Sequence, residues 1–249
     1  MNSAAKYDPF RIMPFEGYIN GATGRRESYM SLAHFYYSEQ LRGVDENYRQ
    51  YILNQSDPEL FRVEVEGVWQ TNGKEDQERA YRIFYAGIYM QALNNKDVYS
   101  GFLSNASNLC VTNCENDALI ADALGQFISD IVNGNEGQRK VAFLGAGSTN
   151  EYMLSCMEAI FAKNSPHCIF AIQDEECQLP ASQFAIASAS ALNLISGSDS
   201  DDEIANNIAR KCTHVFRFID GFANSRSEEI VTLLAEAGTQ VRAIPKADS

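Results

Sequence analysis

Four apolar runs, at 141–145, 168–172, 214–219 and 240–244, are separated by segments of helical periodicity near 149–163, 180–191, 201–211 and 226–237. A further short run lies at Asn193 to Ile195. This alternation leaves few folds open. Strands joined through helices run parallel with right-handed crossovers, and the helices cover both faces of the sheet. The spacing predicts a Rossmann-like three-layer domain over 137–249, of about 110 residues, within the usual domain range. Gly238 falls where a helix C-cap glycine belongs. In such a sheet any ligand sits outside the carboxyl ends of the strands.

The preceding region, 1–136, reads as mainly helical, so the fold class is α/β: a helical N-terminal region followed by a Rossmann-like domain with a parallel sheet. Eleven of the twelve tyrosines lie between Tyr7 and Tyr99, which points to two differently built cores. The seam is the polar run from Asn133 to Arg139, with two glycines. Within the first region, Tyr29, Leu32, Tyr36 and Leu41 predict a helix over Glu27 to Arg42, ended by Gly43. A short helix is expected over Glu46 to Asn54. Phe61 to Val65 alternates apolar and charged residues like a strand, although Asp57-Pro58 suits a helix start equally well. Gln77 to Leu93 is apolar nearly all round and should be the central helix. Asp117 to Val132 carries the cleanest apolar stripe and is expected to dock the two halves together.

A net charge of -13 argues against broad attraction to nucleic acid or anionic lipid. No run approaches the roughly 18 apolar residues of a membrane span, and the first residues lack the apolar core of a secretory signal. A soluble, cytoplasmic protein is the expectation. The six cysteines are scattered and read as mostly buried thiols. Cys110 and Cys114 lack both zinc-knuckle spacing and a second pair, so no metal site is expected. Acidic clusters at Asp174 to Glu176 and Asp199 to Glu203 read as solvated helix starts rather than cation sites. His34 reads as a core histidine. Trp69 stands in a polar loop, where it either stacks on a base or anchors the chain.

The stretch VAFLGAGSTNEYM, Val141 to Met153, runs a strand through two glycines into a helix. Gly145 and Gly147 allow the backbone to turn and approach a phosphate, the free N–H groups of the helix start face an anion, and Ser148 or Thr149 adds a hydroxyl. The third glycine of the dinucleotide fingerprint and the lysine of a P-loop are both absent. Ser148-Thr-Asn-Glu151 also fits a capping box, which needs no ligand. A second loop belongs to the same sheet edge: Asp220-Gly221 closes a strand, and Ser225, Arg226 and Ser227 are placed to meet phosphate or ribose hydroxyls. Glu228 and Glu229 are the candidates for a nucleophile or base at a glycosidic carbon. Ser225-Arg-Ser-Glu228 is again compatible with a capping box.

Over about 110 residues, VAFLGAGS and the later VFRFIDG, SRSEEI and LLAEAGTQVRAIP resemble the SLOG superfamily of Rossmann-like nucleotide-binding domains, in its YspA-type members. The family's middle glycine-rich motif would fall at Gln173 to Gln183, where this chain has QDEECQLPASQ and no glycine. The same region is similar to nucleoside 2-deoxyribosyltransferases, whose nucleophilic glutamate matches Glu229 in position, with Asn-Ser-Arg-Ser in place of the usual lead. In the first region, SYMSLAHFYYSEQLRG and FYAGIYMQALNNKDVYSGFLSNAS resemble the NADAR (YbiA-like) N-glycosidases. His34 fits that pattern, and Ala33 stands where the family has its acidic residue.

These resemblances imply a protein that binds a nucleotide or ADP-ribose-type small molecule at Gly145, Gly147, Ser148, Asp220, Gly221, Ser225, Arg226 and Ser227. The gaps in both patterns point to a degenerate, non-catalytic form, with no particular cofactor indicated. Two alternatives stay open. One is a structural or assembly component that retains the fold and acts through protein partners or as a homo-oligomer. The other is an N-glycosidase or deoxyribosyltransferase-like enzyme using Glu229 or Glu228.

Overall fold

A computed structural model describes the backbone of residues 5–69, 77–104, 109–111, 117–132, 139–145, 149–162, 166–219 and 225–245. It also describes their side chains, except at 5–6, 66–69, 103–104, 109–111, 117, 131–132 and 225. The chain forms two compact units. The first is Met1–Gly17 with Arg26–Glu136, and the second is Tyr18–Arg25 with Gly137–Ser249.

In chain order the first part comprises β1 (Ala5–Tyr7), β2 (Phe15–Ile19), β3 (Arg26–Tyr29), α1 (Leu32–Leu41), α2 (Glu46–Asn54) and α3 (Pro58–Trp69). There follow α4 (Gln77–Asn94), α5 (Lys96–Ser104), β4 (Leu109–Val111) and α6 (Asp117–Val132). β1 pairs with β4 in parallel, and β2 pairs with β3.

The helix expected over Glu27 to Arg42 is corrected in its first half. Glu27 and Tyr29 alternate with the exposed Ser28 as β3, so both point inward with a period of two. The helix starts only after Ser31, whose hydroxyl accepts from the His34 N–H at 3.3 Å. Gly43, at φ +75°, follows its end. The strand reading of Phe61 to Val65 is also overturned. Pro58 opens α3, and Asp57 Oδ1 accepts from the Glu59 and Leu60 amides at 2.9 and 3.2 Å. Phe61 and Val65, one helical turn apart, are both buried, whereas Val63 between them is 69% exposed.

α4 is buried along most of its length, and Phe84 stacks on Tyr36 of α1 with ring centroids 3.8 Å apart. The wall that the α6 stripe needs is α4, within the same unit. Phe127 meets Tyr89 edge-on at 5.8 Å, and the Tyr85 hydroxyl donates to Asp130 at 3.0 Å.

Beside these rings lies an ionic cluster that the sequence pattern did not reveal. Glu27 and Glu39 are buried between Arg42 and Arg49, and Arg49 is fully enclosed. Arg42 Nε reaches Glu39 at 2.7 Å, and the Tyr29 hydroxyl lies 2.8 Å from Glu27. Burial opposes ionisation of Glu27, but Arg42, Arg49 and the Tyr29 hydroxyl outweigh it and hold its carboxyl below the ordinary value.

The second part alternates throughout: β5 (Lys140–Gly145), α7 (Asn150–Phe161), β6 (Cys168–Ile172), α8 (Gln178–Ala187), β7 (Ala191–Ile195), α9 (Asp201–Lys211), β8 (His214–Ile219), α10 (Ser225–Glu236) and β9 (Val241–Pro245). The five strands form one parallel sheet in the order β7-β6-β5-β8-β9. This is the Rossmann-like α/β fold expected from the alternation. β5 and β6 are buried at every residue, which is why they read as unbroken apolar runs. α7 packs with α8 and α9 with α10, one pair on each face by the right-handed crossover rule. Between them Phe143 stacks on Phe216 at 5.9 Å and meets Phe184 edge-on at 6.3 Å. Gly238, at φ +77°, ends α10, and Thr239 N–H donates to the Leu234 carbonyl at 2.8 Å. The hairpin tip counted with this unit is held by the Tyr18 hydroxyl donating to the Ser190 carbonyl and the Ile19 N–H donating to Ser182 Oγ, both at 2.8 Å.

Candidate ligand crevice at the strand ends

Strand order reverses between β5 and β8. The chain moves outward from β5 through β6 to β7, then crosses back to β8 and continues to β9. β5 leads to α7 and β8 to α10, helices on opposite faces of the sheet, which makes the carboxyl edge between β5 and β8 the topological switch point at which open α/β sheets take ligands. Gly145 is the last residue of β5 and pairs in register with Phe218, the penultimate residue of β8. It takes φ +91°, and a Cβ there would lie 2.4 Å from the Phe218 carbonyl oxygen. Only glycine satisfies both constraints. Gly147, Ser148, Asp220 and Gly221 fall outside the described residues, as does the Ser225 side chain.

The cap of α7 is Thr149, not Ser148: its Oγ1 accepts from the Tyr152 N–H at 3.3 Å. Threonine serves the same purpose one residue later, so the expected Ser148 box is corrected. Tyr152, on the first turn of α7, donates its hydroxyl to the Pro245 carbonyl at the end of β9, 2.9 Å away. The lone tyrosine of the second half thus ties the first turn of α7 to the end of β9.

α10 begins at Ser225 itself, and the box read over Ser225 to Glu228 depends on a Ser225 side chain that lies outside the described residues. Glu228 reaches Arg217 of β8 at 3.4 Å. Glu229 is exposed and Ser227 is buried. Arg226 is committed to the neighbouring loop. Its Nε binds Asp201 at 2.8 Å, Nη1 the Gly197 carbonyl at 2.6 Å and Nη2 the Asp199 carbonyl at 2.8 Å. The expected phosphate ligand is thus a clamp that fixes the turn after β7 against α10. Ser200 and Glu203 of that turn form a capping box, whose backbone and hydroxyl donors hold the Glu203 carboxyl below its ordinary value.

The residue that sequence reasoning passed over is Glu175, three positions beyond β6. Both of its carboxylate oxygens are buried, and neither has a hydrogen bond of ordinary geometry among the described residues. Burial pushes its carboxyl above the ordinary value. The Arg226 charge and the nearby Gly145 amide act the other way, the amide without reaching hydrogen-bond geometry. Glu175, Gly145 and Arg226 therefore come together from the segment after β6, the end of β5 and the first turn of α10.

His34 is remote from this chemistry in kind. It is fully buried, stacks on Phe61 at 3.8 Å and is bonded at both nitrogens, to Ser31 Oγ at 2.8 Å and the Gln55 carbonyl at 2.7 Å. Cys168 and Cys177 are buried free thiols, and burial raises the Cys177 thiol well above its ordinary value. Among the described residues no three metal-ligating side chains come together, and no helix is long and apolar enough to cross a membrane. The chain matches no known family model and no curated protein.

Proposed function

We propose that the second unit binds a nucleotide or ADP-ribose-type ligand at the carboxyl edge between β5 and β8, and that it does so without catalysis. The supporting observation is the reversal of strand order beside Gly145, because crevices of this topology take ligands across a glycine turn and a helix start. The resemblance of VAFLGAGS and SRSEEI to SLOG domains points the same way. A non-catalytic role is favoured by the two glutamates named from sequence: Glu228 is drawn to Arg217, and Glu229 is exposed to solvent.

Thermal melting with AMP, ADP-ribose and NAD tests the reading. A ligand present at 100 times its Kd stabilises by about 2.7 kcal/mol, an easily measured shift. The shift should vanish in Gly147→Asp, which sets a negative charge in the turn. Absence of any shift, together with stable multimers in solution, would favour an assembly role instead. Release of a free base from ADP-ribose or a deoxynucleoside, lost in Glu229→Gln, would restore the enzyme reading.

A further inference from the structure

We propose that the exposed face shared by α2 and α3 docks a basic amphipathic helix of a partner protein, its apolar side chains meeting Tyr51, Leu60 and Val63 and its flanking Lys or Arg meeting Glu59 and Glu64. Each helix buries one side and leaves apolar residues on the other. In α3, Phe61 and Val65 face the core, while Leu60 and Val63 are 56% and 69% exposed. In α2, Ile52 is enclosed and Tyr51 is 47% exposed. Val44, 81% exposed, recurs with Tyr48 and Tyr51 at i, i+4 and i+7. The two sets form one surface: Tyr48 stacks on Tyr51 with ring centroids 5.9 Å apart, and its hydroxyl donates to the Glu64 carbonyl at 3.3 Å. Single exposed apolar residues are ordinary, whereas a contiguous row rimmed by charge marks an interaction surface.

The charges at its border decide what covers it. Around the axis of α3 the order is Glu59, Val63, Leu60, Glu64, so a carboxylate flanks the apolar pair on each side. Both glutamates are exposed, and Arg62, the cation between them in sequence, is turned to Asp8 at 3.6 Å. Asp45, Glu46 and Asp57 add exposed carboxylates at the helix starts, and no exposed Lys or Arg occurs from Gly43 to Val65. Asp45 and Asp57 cap helices and Glu46 pairs with Arg49 at 2.6 Å, whereas the side chains of Glu59 and Glu64 hold nothing in the fold among the described residues. A second copy is disfavoured, because isologous pairing sets this acidic border against itself in a chain of net charge -13. Anionic lipid and nucleic acid are repelled for the same reason. A basic amphipathic helix has the complementary form: an apolar stripe with Lys or Arg along both sides, anchored at i, i+3, i+4 and i+7.

Fluorescence anisotropy of the full chain with three synthetic helical peptides decides the matter: one of Leu and Lys in amphipathic order, one with Ala in place of Leu, and one with Glu in place of Lys. The Leu/Lys peptide should bind in the micromolar range, and the other two at least roughly tenfold more weakly. Leu60→Ser with Val63→Ser, and separately Glu59→Lys with Glu64→Lys, should each weaken the Leu/Lys peptide by roughly tenfold or more, as for anchors at the centre of an interface. Glu158→Lys with Glu236→Lys changes the net charge equally at exposed positions of the second unit, and should leave the affinity within about twofold because distant surface charges are screened. All six substituted residues are exposed, so circular dichroism should show the fold retained. No binding of the Leu/Lys peptide, equal binding of the Ala/Lys peptide, an affinity untouched by Leu60→Ser with Val63→Ser, or equal weakening by the two charge-reversed pairs overturns the proposal. So does a dimer in sedimentation that Leu60→Ser with Val63→Ser dissociates, since a second copy then covers the face.

Discussion

At Gly145 two demands coincide: the backbone turns to φ +91°, and the Phe218 carbonyl occupies the space a side chain would need. Gly145→Ala should therefore destabilise the second unit by on the order of 3 kcal/mol, from combined backbone strain and overpacking. Urea unfolding followed by circular dichroism would measure it, and an unchanged midpoint would show that the strand ends relax freely. The glycine was legible in the sequence as a turn signal after an apolar run. Its close approach to β8 was not, because that contact joins residues far apart in the chain. Glu175 was hidden for the same reason. In sequence it is one of three acidic residues in Asp174 to Glu176, and only the sheet distinguishes it from its neighbours by enclosing its carboxylate.

Among the elements, α1, α2 and α3 meet at His34, which sits on α1, stacks on Phe61 of α3 and donates from Nε2 to the Gln55 carbonyl at the end of α2. Since Nε2 carries the hydrogen, Nδ1 accepts from the Ser31 hydroxyl, and the ring is held neutral. Burial lowers its pKa from the ordinary 6.5, against the opposing pull of the Gln55 carbonyl. A depressed histidine pKa means that the unfolded chain binds the extra proton more readily. The contribution of His34 is thus fully present above about pH 6.5 and is lost as pH falls from there through the folded-state value. The stability difference between wild type and His34→Gln should accordingly be larger at about pH 7.5 than at about pH 5.5 in urea melts. A constant or growing difference on acidification would contradict the neutral ring.

The elements were legible to different degrees. α2, α6 and α9 follow directly from their stripes and caps. β3 looks helical in sequence because Tyr29 extends the stripe of α1, and Phe61 to Val65 suits a strand as well as the helix that Asp57-Pro58 opens, because five alternating residues cannot show a helical period. The short strands β1, β2 and β4 carry too few residues for any pattern to declare them.

For the whole molecule, the alternation in the second half dictates the parallel sheet, and topology supplies what sequence cannot: the order of the strands, and hence the switch point between β5 and β8. The charge of -13 makes general electrostatic attraction of a phosphate unfavourable. On the proposed reading, binding comes instead from local donors at the strand ends, the N–H groups of the α7 start foremost. That is a claim about place, and an amide chemical-shift map on addition of ADP-ribose tests it most directly. The account predicts that Gly145, Asn150, Glu175 and Arg226 shift together and saturably. Shifts confined to the first unit, or none at all, would contradict it.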